Sequence, residues 1–186
     1  DKSTLIGSDY FASNYDPHVW FDIEYFKQFA KKVTVVLSEK NPENADNFKA
    51  NETTYLAELD VLQAKIKATI ETLPKEKRIL VTAHDAFNYF GKAYDFEVVG
   101  LQGLSTATEA GVQDVQKLSA FIIEKQIKAI FVESSVPKRT IEALQAAVKS
   151  KGHDVEIYVQ DLAEPHASTG VYSLLLNRWI KKPIKL

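Results

Sequence analysis

The sequence predicts an α/β fold: a four-stranded, mostly parallel sheet with flanking helices, preceded by one long helix and a shorter helical segment. From Arg78 to Gln160, runs of β-favouring apolar residues alternate with amphipathic helical patterns, the signature of βαβ units. Between Pro42 and Leu73, apolar residues recur three, four or seven apart with no Gly and no further Pro, so one long helix is expected there. A chain of 186 residues with 45% hydrophobic and 26% charged has the apolar mass for a real core, and disorder is not expected.

The first stretch, Asp1 to Tyr15, is polar and shows little periodicity. It leads into Asp16-Pro17-His18-Val19-Trp20-Phe21, where Pro17 suits a helix start and biases Asp16 away from helical angles, so Asp16 is the expected N-cap. Phe21, Tyr25, Phe26, Phe29, Val33, Val36 and Leu37 then mark one apolar face to about Ser38, and most of these aromatics are expected in the core. The long helix follows, with Phe48, Tyr55, Leu59, Leu62, Ile66, Ile70 and Leu73 on its apolar side. About 30 residues at 1.5 Å each give a rod of some 45 Å, a length suited to bridging two bodies. Pro74 ends it.

The alternating region is expected as strand over Arg78 to Ala83, helix over Ala86 to Tyr94, strand over Phe96 to Gly100 and helix over Thr108 to Lys125. Strand over Lys128 to Val132, helix over Pro137 to Ser150 and strand over Val155 to Gln160 complete it. A closing helix is expected over Ser168 to Lys182, where Val171, Leu174, Leu175 and Trp179 share a side. The organisation this implies is residues 1–42 as a small N-terminal part, 43–73 as the linking helix and 74–186 as the α/β body.

Composition excludes several functions. A formal net charge of -2 offers no electrostatic footprint for nucleic acid. The chain has no cysteine, which removes disulfides and thiolate metal sites, so a metal would have to be held by imidazole and carboxylate. No apolar run reaches the length of a membrane span, and the start at Asp1, without Met or a signal segment, is expected to reflect processing or truncation.

Potential metal ligands stand at the ends of three strands: His84 after Ile79-Leu80-Val81, Glu133 after Ile130-Phe131-Val132 and Asp161 after Tyr158-Val159-Gln160. Side chains on the carboxyl edge of one parallel sheet converge on one crevice, so the three positions form one site hypothesis. Each also has an ordinary structural reading: His84 as a hydrogen-bonded residue at a strand-to-helix turn, Glu133 as a cap for the helix near Pro137, Asp161 as the start of a turn. His18 joins the site only if the first helix folds across the crevice. His153, in a helix-to-strand turn on the amino edge of the sheet, is expected to be solvated.

Several motifs in one order resemble the metal-binding solute-binding proteins of bacterial ABC transporters for zinc and manganese, the TroA-like and ZnuA-like family that includes PsaA-type adhesins. The landmarks are Asp16-Pro17-His18-Val19-Trp20, Thr82-Ala83-His84-Asp85-Ala86-Phe87 with Tyr89-Phe90, Leu101-Gln102-Gly103-Leu104-Ser105-Thr106, and Ile130-Phe131-Val132-Glu133-Ser134-Ser135. The resemblance implies two α/β lobes joined by a long rigid helix, with residues 1–42 as a remnant of the first lobe. It implies metal ligands at His18, His84 and Asp161, with Glu133 orienting a ligating imidazole from behind. Asp161 is matched through Gly170-Val171-Tyr172 downstream, although Gln160 and Leu162 replace small residues of the family pattern.

Family members carry a longer stretch before the Asp-Pro-His motif, with one more ligand histidine. His166 is the candidate to replace that imidazole, against its plainer reading as an exposed loop residue. Without the further histidine, zinc is expected to bind less tightly than in an intact two-lobed relative. The implied role is extracytoplasmic binding of Zn2+, or alternatively Mn2+, for delivery to an ABC transporter membrane permease, in the periplasm or anchored outside the cell. Two rival readings accompany it. A metallohydrolase would use the same ligands around a bound water with Glu133 as base, but the chain has neither His-Glu-x-x-His nor a nucleophile elbow, and no enzyme is expected. A structural or adhesive module of the same fold, no longer binding metal competently, is the other.

Overall fold

The computed structural model describes residues 2–7, 15–102, 110–133 and 138–160. Among them are five α-helices, α1 (Ile23–Lys40), α2 (Ala45–Glu71), α3 (Asn88–Tyr94), α4 (Val112–Glu124) and α5 (Lys138–Ser150). The strands are β1 (Ile79–His84), β2 (Glu97–Gln102), β3 (Ala129–Glu133) and β4 (Glu156–Gln160). The expected closing helix over Ser168 to Lys182 lies outside the described residues.

The strands form one sheet in the order β2-β1-β3-β4, and every pairing is parallel. Strand β1 is central and buried on both sides, which is why Ile79 to Ala83 reads as an apolar run, interrupted only by Thr82, instead of an alternation. Its side chains divide by parity. Leu80 faces a core shared with Phe21, Ile23, Leu59, Ile66, Ile70, Phe87 and Phe90, while Val81 and Ala83 face one built with Leu118, Ile122, Ile141, Leu144 and Val148. Thus α1, α2 and α3 cover one face of the sheet and α4 and α5 the other.

Helix α2 runs unbroken for 27 residues, and its buried residues Leu59, Ile66 and Ile70 join Phe21 and Ile23 to the sheet in one core. Helix α2 therefore packs on both the residues before it and the α/β body, as its periodicity suggests.

The first helix departs from expectation in two ways. Val19–Phe21 is a separate tight turn, and α1 starts at Ile23 with Asp22 as N-cap, the Asp22 carboxylate accepting from Glu24 N at 2.8 Å. Asp16 is not a cap, because its carboxylate is taken by other partners described below. The apolar stripe is core only at its start, where Phe21 is buried and Phe26 packs against the same core; further along, Phe29 is 45% and Val33 56% exposed, with Val36 and Leu37 exposed beside them. Toward α2 the helix turns Ile23, Thr34 and Lys27, whose ammonium donates to Asp60 at 2.6 Å and Glu24 at 3.0 Å. Periodicity showed that the helix has an apolar side. It did not show whether anything covers it.

Candidate metal centre

The sheet order places the site. The chain leaves β1 to one side for β2 and returns to the other side for β3, so the topological switch point lies between β1 and β3, where open α/β sheets hold ligands at their carboxyl ends. His84 is the last residue of β1 and Glu133 the last of β3. Because Thr82 is paired with Phe131, His84 and Glu133, each two residues further on, end their strands level with one another. Strand β4 finishes at the same edge, since Gln160 is paired with Glu133. Asp161 and His166 lie outside the described residues.

His84 is held by backbone geometry on both sides. Its carbonyl accepts from Thr82 Oγ1 at 2.8 Å and from Ala86 N at 3.0 Å, and the next residue, Asp85, donates its N–H to Gln102 O at 3.0 Å. The turn after β1 thus lies tight against β2, which only Gly100 permits: a Cβ there would meet Asp85 N at 2.6 Å and Asp85 Cα at 2.8 Å.

His18 arrives from the other end of the described chain. Its loop is tied to the start of α3, where Asn88 Nδ2 donates to Asp16 Oδ2 at 3.2 Å and Tyr89 Oη donates to Asp16 O at 3.1 Å. Phe21 packs against Phe87 with ring centroids 4.3 Å apart and the rings tilted by 36°, fixing the next turn at the start of the same helix. These contacts bring the His18 and His84 rings to a centroid separation of 5.5 Å at an interplanar angle of 65°, with both residues only 8% exposed. The condition for His18 to join the strand-end site, that its segment cross to β1, is met. Trp20 lies edge-on to His18 at 5.2 Å and remains partly open to solvent.

Asp16 is the residue that sequence reasoning missed. It is 1% exposed, and its Oδ1 accepts from the His18 backbone N–H at 2.9 Å and from His18 Nδ1 at 2.7 Å. Burial alone would raise its pKa, but the hydrogen bonds from the His18 side chain and backbone and from Asn88 outweigh burial and leave it below the ordinary carboxylate value. An ionised carboxylate can only accept, so the proton of a neutral His18 ring sits on Nδ1 and the lone pair on Nε2. The spacing Asp-x-His was visible in the sequence, and a carboxylate two residues from an imidazole was the signal available.

Asp85 is the second acid of the site. Burial raises its pKa, a hydrogen bond from Asn88 opposes that, and the nearby Asp16 charge adds to the rise. Among the described residues no three His, Asp or Glu side chains come close enough to surround an ion by themselves. His153 proves to be 8% exposed and not solvated. It does sit at the amino edge of the sheet, as read from the sequence, but its Nε2 lies 2.7 Å from Ile127 O, just before β3, because Gly152 at φ +81° turns the chain back onto the body.

The family model described as zinc-uptake complex component A, periplasmic (ZnuA), matches residues 2–182. The zinc-binding protein TroA of Treponema pallidum is 43% identical over 164 residues, covering 86% of this chain and 53% of TroA. The manganese-binding lipoprotein MntA of Bacillus subtilis is 42% identical over 165 residues, covering 87% of this chain and 54% of MntA. The solved structure of the periplasmic zinc-binding protein TroA superimposes with a TM-score of 0.86 at 39% identity, covering 97% of this chain and 66% of that one. The chain spans about half the length of the curated relatives it matches. Among the described residues no helix is long and apolar enough to cross a membrane. With a family model covering nearly its whole length and a superposition on TroA at a TM-score of 0.86, this chain belongs to the ZnuA family of zinc-uptake components.

Proposed function

We propose that the chain binds a divalent transition metal outside the cytoplasm for delivery to an ABC transporter permease, zinc being favoured over manganese. The observation that carries this is the pair of buried imidazoles at the switch point. Two imidazoles that bind one tetrahedral zinc through one nitrogen each, at about 2 Å, have ring centroids roughly 5 Å apart. The separation of 5.5 Å between His18 and His84 therefore needs little rearrangement.

In this reading His18 Nε2 and His84 are imidazole ligands and Asp161 is the carboxylate ligand. Glu133, level with His84 across the switch point, orients a ligating ring from behind. The N-terminal part, residues 1–42, belongs to a first lobe, 43–73 is the linking helix and 74–186 the second lobe. Imidazole favours zinc over the oxygen-preferring cations, and this favours zinc here, while relatives named for zinc and for manganese keep both ions in view. The activity is binding and release, with no chemical step.

Titration calorimetry with zinc and manganese on the full chain, on His18→Ala and on His84→Ala is the test. Each substitution is expected to remove most of the zinc affinity, and zinc is expected to bind more tightly than manganese. Tight zinc binding undisturbed by either substitution would move the site elsewhere.

A further inference from the structure

The two imidazoles come from segments 66 residues apart in the chain, so something has to set the angle and the protonation of the first before a metal can use it. His84 is fixed by the strand it ends. His18 sits on an irregular loop and has no such support. What it has is Asp16, whose Oδ1 accepts from both the His18 backbone N–H at 2.9 Å and the ring Nδ1 at 2.7 Å. The two contacts to one oxygen close a ring of bonds that leaves the imidazole a single orientation.

The other carboxylate oxygen, Oδ2, accepts from Asn88 Nδ2 at 3.2 Å, and Asn88 is the first residue of α3, four residues after His84. Asp16 is thereby tied to the helix that directly follows the strand carrying the second imidazole.

We propose that Asp16, anchored by Asn88, is the positioning residue of this site: it holds the His18 ring as the Nδ1–H form, so that Nε2 is presented toward His84 before metal arrives. This rests on the metal-binding reading above for its purpose but not for its structural content. Partners behind a ligating imidazole contribute about 10- to 100-fold to metal affinity, by fixing the tautomer and raising ligand basicity.

The test is made on the full chain without metal, by two-bond 1H–15N correlation of the imidazoles, with the His18 signals assigned by their absence in His18→Gln. Wild type is expected to show His18 protonated at Nδ1. Asp16→Ala is expected to move the ring toward the Nε2–H form and to weaken zinc binding by about 10- to 100-fold. Asp16→Asn keeps an oxygen that can accept from Nδ1–H, so it should retain the tautomer and restore part of the affinity. A role in folding alone would lower the melting temperature of all variants without this pattern.

Wild-type His18 in the Nε2–H form overturns the proposal, as does Asp16→Ala with unchanged tautomer and unchanged zinc affinity. If Asp16→Ala does not fold, Asn88→Ala decides. It should loosen the His18 ring and cost less affinity than losing the carboxylate, and unchanged imidazole shifts with unchanged affinity would overturn the role of Asn88. A wild type that keeps the Nδ1–H form but binds no zinc supports the hold of Asp16 on His18 and defeats the metal-delivery reading instead.

Discussion

Gly100 lies so close to Asp85 that a single added carbon would sit 2.6 Å from the Asp85 nitrogen. This contact between β2 and the turn after β1 allows Asp85 N–H to reach Gln102 O, and it sets the height at which His84 leaves the sheet. The atoms in the way are backbone, which cannot rotate aside. Gly100→Ala is therefore expected to cost about 1–3 kcal/mol of stability, the usual penalty of overpacking, and to weaken zinc binding through displacement of His84. Chemical denaturation measures the first and calorimetry the second, and a Gly100→Ala chain with wild-type values in both would show that the turn has slack.

The exposed stripe of α1 makes a contrasting case. Val33 projects into solvent from an α-helix that holds on through its opposite side, whereas Ile66 on α2 is 1% exposed in the core between α1, α3 and the sheet. Val33→Ser should change the stability of this chain by no more than about 0.5 kcal/mol, and Ile66→Ala should cost about 2–5 kcal/mol. A large loss at Val33 in urea denaturation would mean that the stripe is covered in solution.

The contrast between these helices shows what could be read from residues alone. Strands β1 and β3 were legible because Ile79 to Val81 and Ala129 to Val132 are apolar without alternation, and the long helix because nothing between Ala45 and Glu71 interrupts its period. That His84 and Glu133 end their strands at one edge followed from the parallel pairing of β1 and β3. Asp16 was not legible as a partner of His18, because a short polar residue before a helix-like pattern reads first as a cap. Choosing between cap and imidazole partner takes the position of Asn88 and Tyr89, which are distant in sequence. The solvated reading of His153 failed for a related reason: a polar turn gave no hint that an uncapped carbonyl, that of Ile127, lay within reach.

That carbonyl gives a further expectation. His153 is nearly buried, and its ring nitrogen satisfies Ile127 O at the point where the chain enters β3. His153→Ala should cost about 0.5–1.5 kcal/mol, the net worth of an ordinary hydrogen bond, since the Ile127 carbonyl is only partly buried. Zinc affinity should stay unchanged, since the residue lies at the amino edge of the sheet, away from the carboxyl-edge site. Loss of metal binding in a folded His153→Ala chain would contradict the placement of the site.

The two acids of the site should respond to pH with opposite signs. Asp85 has its pKa raised, chiefly by burial, so the folded state prefers it protonated and its charge is a liability at neutral pH. That liability is relieved as pH falls through the raised value, and it vanishes below the ordinary carboxylate pKa. Asp16 has its pKa lowered by the His18 and Asn88 hydrogen bonds acting against burial, so its contribution is present above the ordinary value and is lost as pH falls through the lowered one. In metal-free protein, Asp85→Asn, which keeps an oxygen for Asn88, should therefore raise the melting temperature at pH 7, with a gain that shrinks toward pH 4. Asp16→Asn should lower it at pH 7, with a deficit that shrinks only under more acidic conditions. Melting curves of both variants and wild type across this range are sufficient. If Asp85→Asn were less stable than wild type at pH 7, the charge of Asp85 would have to be compensated within the fold, and the assignment of burial as the dominant influence on it would be wrong.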